Sequence, residues 1–291
     1  MKRVLIVNTK YKEVGGEDSN IIDEINFLSK FYEVSYLEFD NGKSLDIWDL
    51  ISFTTTSNLK SNKLLKNKLN SFKPDIVYIH NTWFKAGLGL IKILNKNKIN
   101  TVYKIHNFRY YCAASFLSKR HLRGEDFCPA CGMEVKDNRW FNKYFKESTL
   151  KSIILIRFTK KLINILRSKN LKILTITEFH KEFLINIGIN PKNIVLYNNP
   201  IKISNKIPSQ YNPESNYVLY AGRLTKSKGV VDLLETWSKY SNKDIEMKII
   251  GTGDLEDKLV NKYSSNNVSF LGYLENKEVL DLISKSKAVV T

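Results

Sequence analysis

The sequence predicts an α/β protein built from two doubly wound parallel-sheet domains, the second incomplete. Three observations carry this. Short apolar runs alternate with helix-length amphipathic segments, the pattern of parallel strands covered on both faces by helices. The alternation occurs twice, on either side of residues 201–216, a polar stretch with two prolines and no periodicity. A chain of 291 residues, 43% hydrophobic and 26% charged, is long enough for two ordinary cores and too apolar to be disordered.

In the first series, residues 1–200, strands are expected at 3–7, 33–39, 75–79, 101–105, 172–176 and 194–197. Helices are expected at about 17–30, 59–71, 85–96, 141–169 and 178–187, with a long irregular insert at 107–138. Residues 201–216 read as the linker. The second series, 217–291, gives strands at 217–220, 245–250, 268–271 and 288–290, with helices at about 229–240, 254–263 and 276–285. It ends inside its fourth strand, where a doubly wound domain has about five or six. The sequence therefore reads as cut rather than finished.

Composition and charge bound the partners. Only four apolar residues, Val4 to Val7, follow the basic start, against about 7–15 in a signal-peptide core. No run reaches the roughly 18 apolar residues of a spanning helix. Three cysteines do not make a disulfide scaffold, so a cytoplasmic, reduced protein is expected. The net charge of +17 is lopsided: residues 1–200 carry +15, and 139–172 alone hold ten basic side chains against one acid, Glu147. Such an excess points to an anionic partner. In 139–172 the apolar residues Phe141, Tyr144, Phe145, Ile154, Phe158, Leu162, Ile165 and Leu166 recur at helical spacing. That pattern fits a helix lying on an anionic membrane surface, and equally a packed helix with a solvated basic face. No recognition motif for nucleic acid accompanies the charge, so no nucleic-acid partner is expected.

The loops after the strands carry the chemistry. Gly15-Gly16 follows the first strand and opens a helix, where glycines allow close backbone approach and the helix start offers free amides to an anion. Arg223 and Lys228, in the loop after the first strand of the second series, can clamp a diphosphate with a guanidinium and an ammonium. Gly251 and Gly253, then Gly272, repeat the arrangement after the next two strands, bordering one crevice. His106 ends the strand at 101–105 and can donate to a sugar hydroxyl or take part in proton transfer. Asn198-Asn199-Pro200 marks the domain crossover. Cys112, Cys128 and Cys131 form a C-x15-C-x2-C pattern that suits a structural zinc, with His121 or His106 as a fourth ligand, or else free or redox-active thiols.

Taken together these residues resemble glycosyltransferase family 4. The likeness rests on the run from Tyr217 to Leu224, on Lys228-Gly229, on Ile250-Gly251-Thr252-Gly253 and on the run from Val268 to Leu274. The first half agrees through Gly15-Gly16, the run from His106 to Cys112, Thr177-Glu178-Phe179 and Asn198-Asn199-Pro200-Ile201. The resemblance implies a GT-B fold, two Rossmann-like domains facing across a cleft. It implies transfer of a sugar from a nucleotide diphosphate sugar with retention of configuration, and no cofactor required for catalysis. By the same resemblance Arg223 and Lys228 bind the donor diphosphate, Gly15 and Gly16 approach the phosphates, His106 sits near the transferred sugar, and the Gly251, Gly253 and Gly272 loops border the base. The expected acceptor is a glycan or lipid-linked molecule of bacterial cell-surface polysaccharide synthesis, met peripherally at the inner membrane face through 139–172. The family's Pro-Ser loop, paired glutamates and closing helix have no counterpart before residue 291. A second expectation is therefore a truncated, non-catalytic nucleotide-binding remnant.

Overall fold

The computed structural model describes residues 1–10, 16–42, 49, 51–52, 55–112, 148–167, 171–199, 215–240, 244–265 and 267–290. The chain divides into two compact units, Met1–Lys202 and Ile203–Thr291.

The first unit contains β1 (Arg3–Lys10), α1 (Gly16–Leu28), β2 (Glu33–Asp40), α2 (Leu59–Phe72), β3 (Ile76–Ile79), α3 (Gly89–Lys96) and β4 (Asn100–Ile105). It continues with α4 (Arg109–Cys112), α5 (Thr149–Leu166), β5 (Leu171–Thr175), α6 (Glu178–Asn186) and β6 (Ile194–Leu196). Its six strands are parallel, in the order β2-β1-β3-β4-β5-β6. The order reverses between β1 and β3, so the crevice outside their carboxyl ends is the position where such sheets take ligands. Val7 lies opposite Ile79, and Ile79 opposite Tyr103, which brings His80 level with Lys104.

Side chains alternate across each strand. Leu5, Val7, Val77, Ile79, Tyr103, Ile105 and Ile173 point to one face, where they pack with Leu65, Ile91, Leu94, Phe158 and Leu162. Val4, Ile6 and Tyr78 point to the other, under Ile21 and Ile25 of α1. Fully burying each such side chain is worth about 1.5–3 kcal/mol.

Two helices depart from the periodicity. The expected helix at 85–96 begins only at Gly89. Gly87 has φ +72°, and its N–H donates to the Thr82 carbonyl, while the Leu88 N–H donates to Thr56. A turn thus takes residues the pattern assigns to the helix. Of the expected helix at 141–169, residues 149–166 are helical, started by Ser148, whose hydroxyl accepts from the Lys151 N–H at 3.2 Å. Phe141, Tyr144 and Phe145 lie outside the described residues. Among the described residues no helix is long and apolar enough to cross a membrane.

The second unit contains β7 (Tyr217–Ala221), a 3-10 turn (Lys226–Lys228), α7 (Val230–Ser238), β8 (Glu246–Ile250), α8 (Glu256–Tyr263), β9 (Val268–Phe270), α9 (Asn276–Lys285) and β10 (Ala288–Val290). The described strands form one parallel sheet in the order β10-β7-β8-β9. Here the order reverses at β7, so the loop that follows β7 stands at the switch point.

Candidate functional site

In the second unit the three glycine loops are tied into one rim. The Gly222 N–H donates to Ile250 (3.0 Å), Leu224 to Thr252 (2.9 Å), Gly251 to Gly272 (2.8 Å) and Leu255 back to Leu224 (3.1 Å). Glycine is required at two of these positions. A Cβ on Gly251, which has φ +126°, would overlap the Gly222 carbonyl, and one on Gly253 would overlap the Leu224 carbonyl. Leu224 is buried and anchors the β7 loop, while the Tyr220 hydroxyl donates to the Arg223 carbonyl at 3.1 Å. Arg223 and Lys228 are exposed on either side of that anchor. Among the described residues neither forms an ion pair with a carboxylate.

The helix starts around this rim differ in electrostatics. Helix α8 begins with Glu256 and Asp257, and α9 has a capping box made by Glu275 and Glu278, so acidic side chains already complement both positive ends. Helix α7 is capped by Gly229 at φ +68°, with no side-chain cap, and is preceded by Lys226 and Lys228. Its single first-turn acid is Asp232. Of the three loops, the one after β7 is best suited to receive an anion.

In the first unit Gly16 is the first residue of α1, while Gly15 lies outside the described residues. His106 follows β4, and its Nε2 lies 3.1 Å from Nδ1 of His80. His80 Nε2 in turn lies 3.3 Å from a carboxylate oxygen of Glu24, whose other oxygen is paired with the Lys104 ammonium. Glu24 and Lys104 have no solvent exposure. Motif and spacing do not single out Glu24, His80 or Lys104. Lys104 is the available signal, because a lysine inside a strand buried on both faces requires a buried partner. Trp83, Tyr110 and Phe158 line a cavity beside the two histidines. Tyr110 also bonds Nε2 of His180 at 2.9 Å, and Phe108 stacks on that ring, so α6 braces the segment after His106.

Burial holds these imidazoles neutral. His106 is lowered to about 4 by desolvation, then by Lys104 and His180; His180 is lowered to about 4 by desolvation; His80 lies well below its ordinary value. The sign follows directly. The folded histidines bind protons less readily than the unfolded chain, so stability is fully present above about pH 6.5 and falls as pH drops toward 4. His106 alone accounts for on the order of 3 kcal/mol of that loss. Urea unfolding at pH 7 and at pH 4.5 should therefore show a smaller acid loss in His106→Asn than in the native chain. Equal losses would show that His106 does not couple to folding.

Of the three cysteines, Cys128 and Cys131 lie outside the described residues, as does His121, and Cys112 is the last residue of α4. Among the described residues no three His, Cys, Asp or Glu side chains are grouped to hold a metal.

Residues 202–291 match the family model of glycosyl transferases group 1. The second unit is a group 1 glycosyltransferase domain. The whole chain has the GT-B fold. It superposes on the apo form of the lipopolysaccharide outer core galactosyltransferase WaaB with a TM-score of 0.54 at 17% identity, covering 99% of this chain and 73% of that one. For Anabaena HepE in complex with UDP and glucose the TM-score is 0.61 at 13% identity, with the same coverages. For the catalytic domain of starch synthase IV from Arabidopsis thaliana, bound to ADP and acarbose, it is 0.57 at 13%, covering 99% and 77%. A search of curated protein sequences finds no match. The site residues predicted in the transferase domain, Arg223, Lys228, Gly251, Gly253 and Gly272, thus gather at the carboxyl end of one sheet. His106 belongs to the other unit.

Proposed function

We propose that the protein is a retaining glycosyltransferase that moves a sugar from a nucleotide diphosphate sugar to a glycan or lipid-linked acceptor in cell-surface polysaccharide synthesis. One observation carries the reading. The loop after β7 stands at the switch point of its sheet and presents two exposed cations beside a helix start that no side chain caps. Arg223 and Lys228 would hold the diphosphate and stabilise the charge that develops on the leaving nucleoside diphosphate. The Gly251, Gly253 and Gly272 rim would border the base, and the Gly15-Gly16 loop would approach the phosphates. His106 would touch the transferred sugar. The bound UDP in HepE supports a nucleotide donor. Calorimetric titration with UDP-glucose, GDP-mannose and ADP-glucose should give saturable heat with at least one of them, and no heat with free glucose. Silence with all three donors would overturn the proposal. Donor binding without turnover in the presence of acceptor extracts would leave the protein a nucleotide-binding remnant.

The acceptor side is proposed to meet an anionic membrane. Helix α5 buries Ser152, Leu155, Ile156, Thr159 and Leu162 on one side. On the opposite side Leu150 and Ile153 are exposed in line with Arg157 and Lys160. Co-sedimentation should be stronger with vesicles containing phosphatidylglycerol than with pure phosphatidylcholine, and weaker after Leu150→Ser/Ile153→Ser. Binding indifferent to lipid charge would remove this part.

A further inference from the structure

The buried chain Lys104–Glu24–His80–His106 fixes where the imidazole protons sit. His80 Nε2 lies 3.3 Å from a Glu24 oxygen without the alignment of a hydrogen bond, and the negative carboxylate at that distance favours the His80 proton on Nε2 over Nδ1. A neutral imidazole has one N–H, so the Nδ1 of His80 is an acceptor. It lies 3.1 Å from Nε2 of His106, which must therefore donate. That leaves Nδ1 of His106 without a proton. This atom is buried and, among the described residues, has no hydrogen-bond partner. A buried acceptor with nothing to accept from is a costly feature unless a ligand completes it. Among the described residues, the charged and titratable groups around the two rings are Glu24 from α1, Tyr78 from β3, Lys104 from β4 and His180 from α6. Beyond β6, Tyr197 covers the Lys104 ammonium at 4.9 Å. The Lys104 charge and the burial disfavour a second proton on either ring.

We infer that Glu24 and His80 are positioning residues that hold His106 as the neutral, Nε2-protonated imidazole, so that its Nδ1 accepts a hydrogen bond from a hydroxyl of a bound sugar. His106 then accepts from the hydroxyl, where the sequence alone allows it to donate or to take part in proton transfer, and the inference rests on the sugar-transfer reading above. Glu24→Gln gives it a sharp test. The Lys104 ammonium can only donate, so it retains the amide oxygen, and the amide NH2 then faces Nε2 of His80. The His80 proton must move to Nδ1, His106 must accept through Nε2, and its own proton must move to Nδ1.

The experiment is a long-range proton–nitrogen correlation spectrum of the full chain labelled with 15N-histidine, which has only four histidines, with His106→Asn identifying the His106 signals. The native chain should show His106 protonated on Nε2, and Glu24→Gln should invert it. A native His106 protonated on Nδ1, or an unchanged His106 in a folded Glu24→Gln, overturns the relay. Should that variant not fold, His80→Phe removes the acceptor instead and should give mixed His106 tautomers; a single unchanged tautomer there also overturns it. UDP-glucose, but not UDP, should shift the Nδ1 resonance, and binding heat with an unmoved Nδ1 overturns acceptance of a sugar hydroxyl. Absence of heat falls on the Arg223 and Lys228 reading, whereas a wrong native tautomer falls on this inference alone.

Discussion

Arg223→Ala is expected to weaken binding of UDP-glucose by about ten- to a hundredfold, with a similar loss for Lys228→Ala. A hydrogen bond to a charged group is worth about 1.5–3 kcal/mol, and 1.4 kcal/mol is a factor of ten. Both side chains are exposed in the free protein, so their removal should leave folding stability within about 0.5 kcal/mol of the parent. The double variant should also lose most of the salt dependence of binding, because the cations that salt screens are gone. Arg223→Lys should recover only part of the loss, since an ammonium cannot grip two phosphate oxygens as a guanidinium fork does. Calorimetry at two ionic strengths measures all three effects. An unchanged dissociation constant in the double variant would separate these residues from the ligand.

That this loop is legible in the sequence, while the Glu24 chain is not, has a physical reason. Arg223, Lys228 and the glycines sit in a short loop between a strand and a helix, and their spacing along the chain is their spacing in the site. The strands are legible for the same local reason: Val4 to Val7 and Ile76 to Ile79 are apolar runs of strand length, bounded by polar residues. Strand order is not legible, because pairing β10 with β7 is a tertiary choice that no local pattern encodes. Glu24 and Lys104 lie 80 residues apart in the chain, and only the register of β3 and β4 brings the pair together under α1. Even the shortened α3 follows this rule. Gly87 looks like a tolerated glycine in a helical pattern, but it is used for a turn whose partners, Thr56 and Thr82, lie elsewhere in the chain.

The Glu24–Lys104 pair yields the largest expected effect on stability. Glu24→Leu leaves a fully buried ammonium without its carboxylate, a change that costs about 3–5 kcal/mol. Domains are stable by about 5–15 kcal/mol, so this variant should unfold about 10 °C earlier. Glu24→Leu combined with Lys104→Met removes both charges and keeps the volume, and should recover most of the loss. Urea unfolding of the parent, both single variants and the double closes the cycle, and additive losses would show that the two groups do not compensate one another. Recovery should not be complete. His80 Nε2 then faces leucine and loses the attraction of the carboxylate 3.3 Å away. The repaired chain should also have lost the carboxylate that fixes the His80 proton, and with it the preference of His106 for the Nε2-protonated form. Such a variant should fold and bind UDP through Arg223 and Lys228, yet no longer favour UDP-glucose over UDP. Stability and sugar recognition would then be separated in one protein. If the double variant keeps its preference for the sugar nucleotide, the buried pair serves the fold alone.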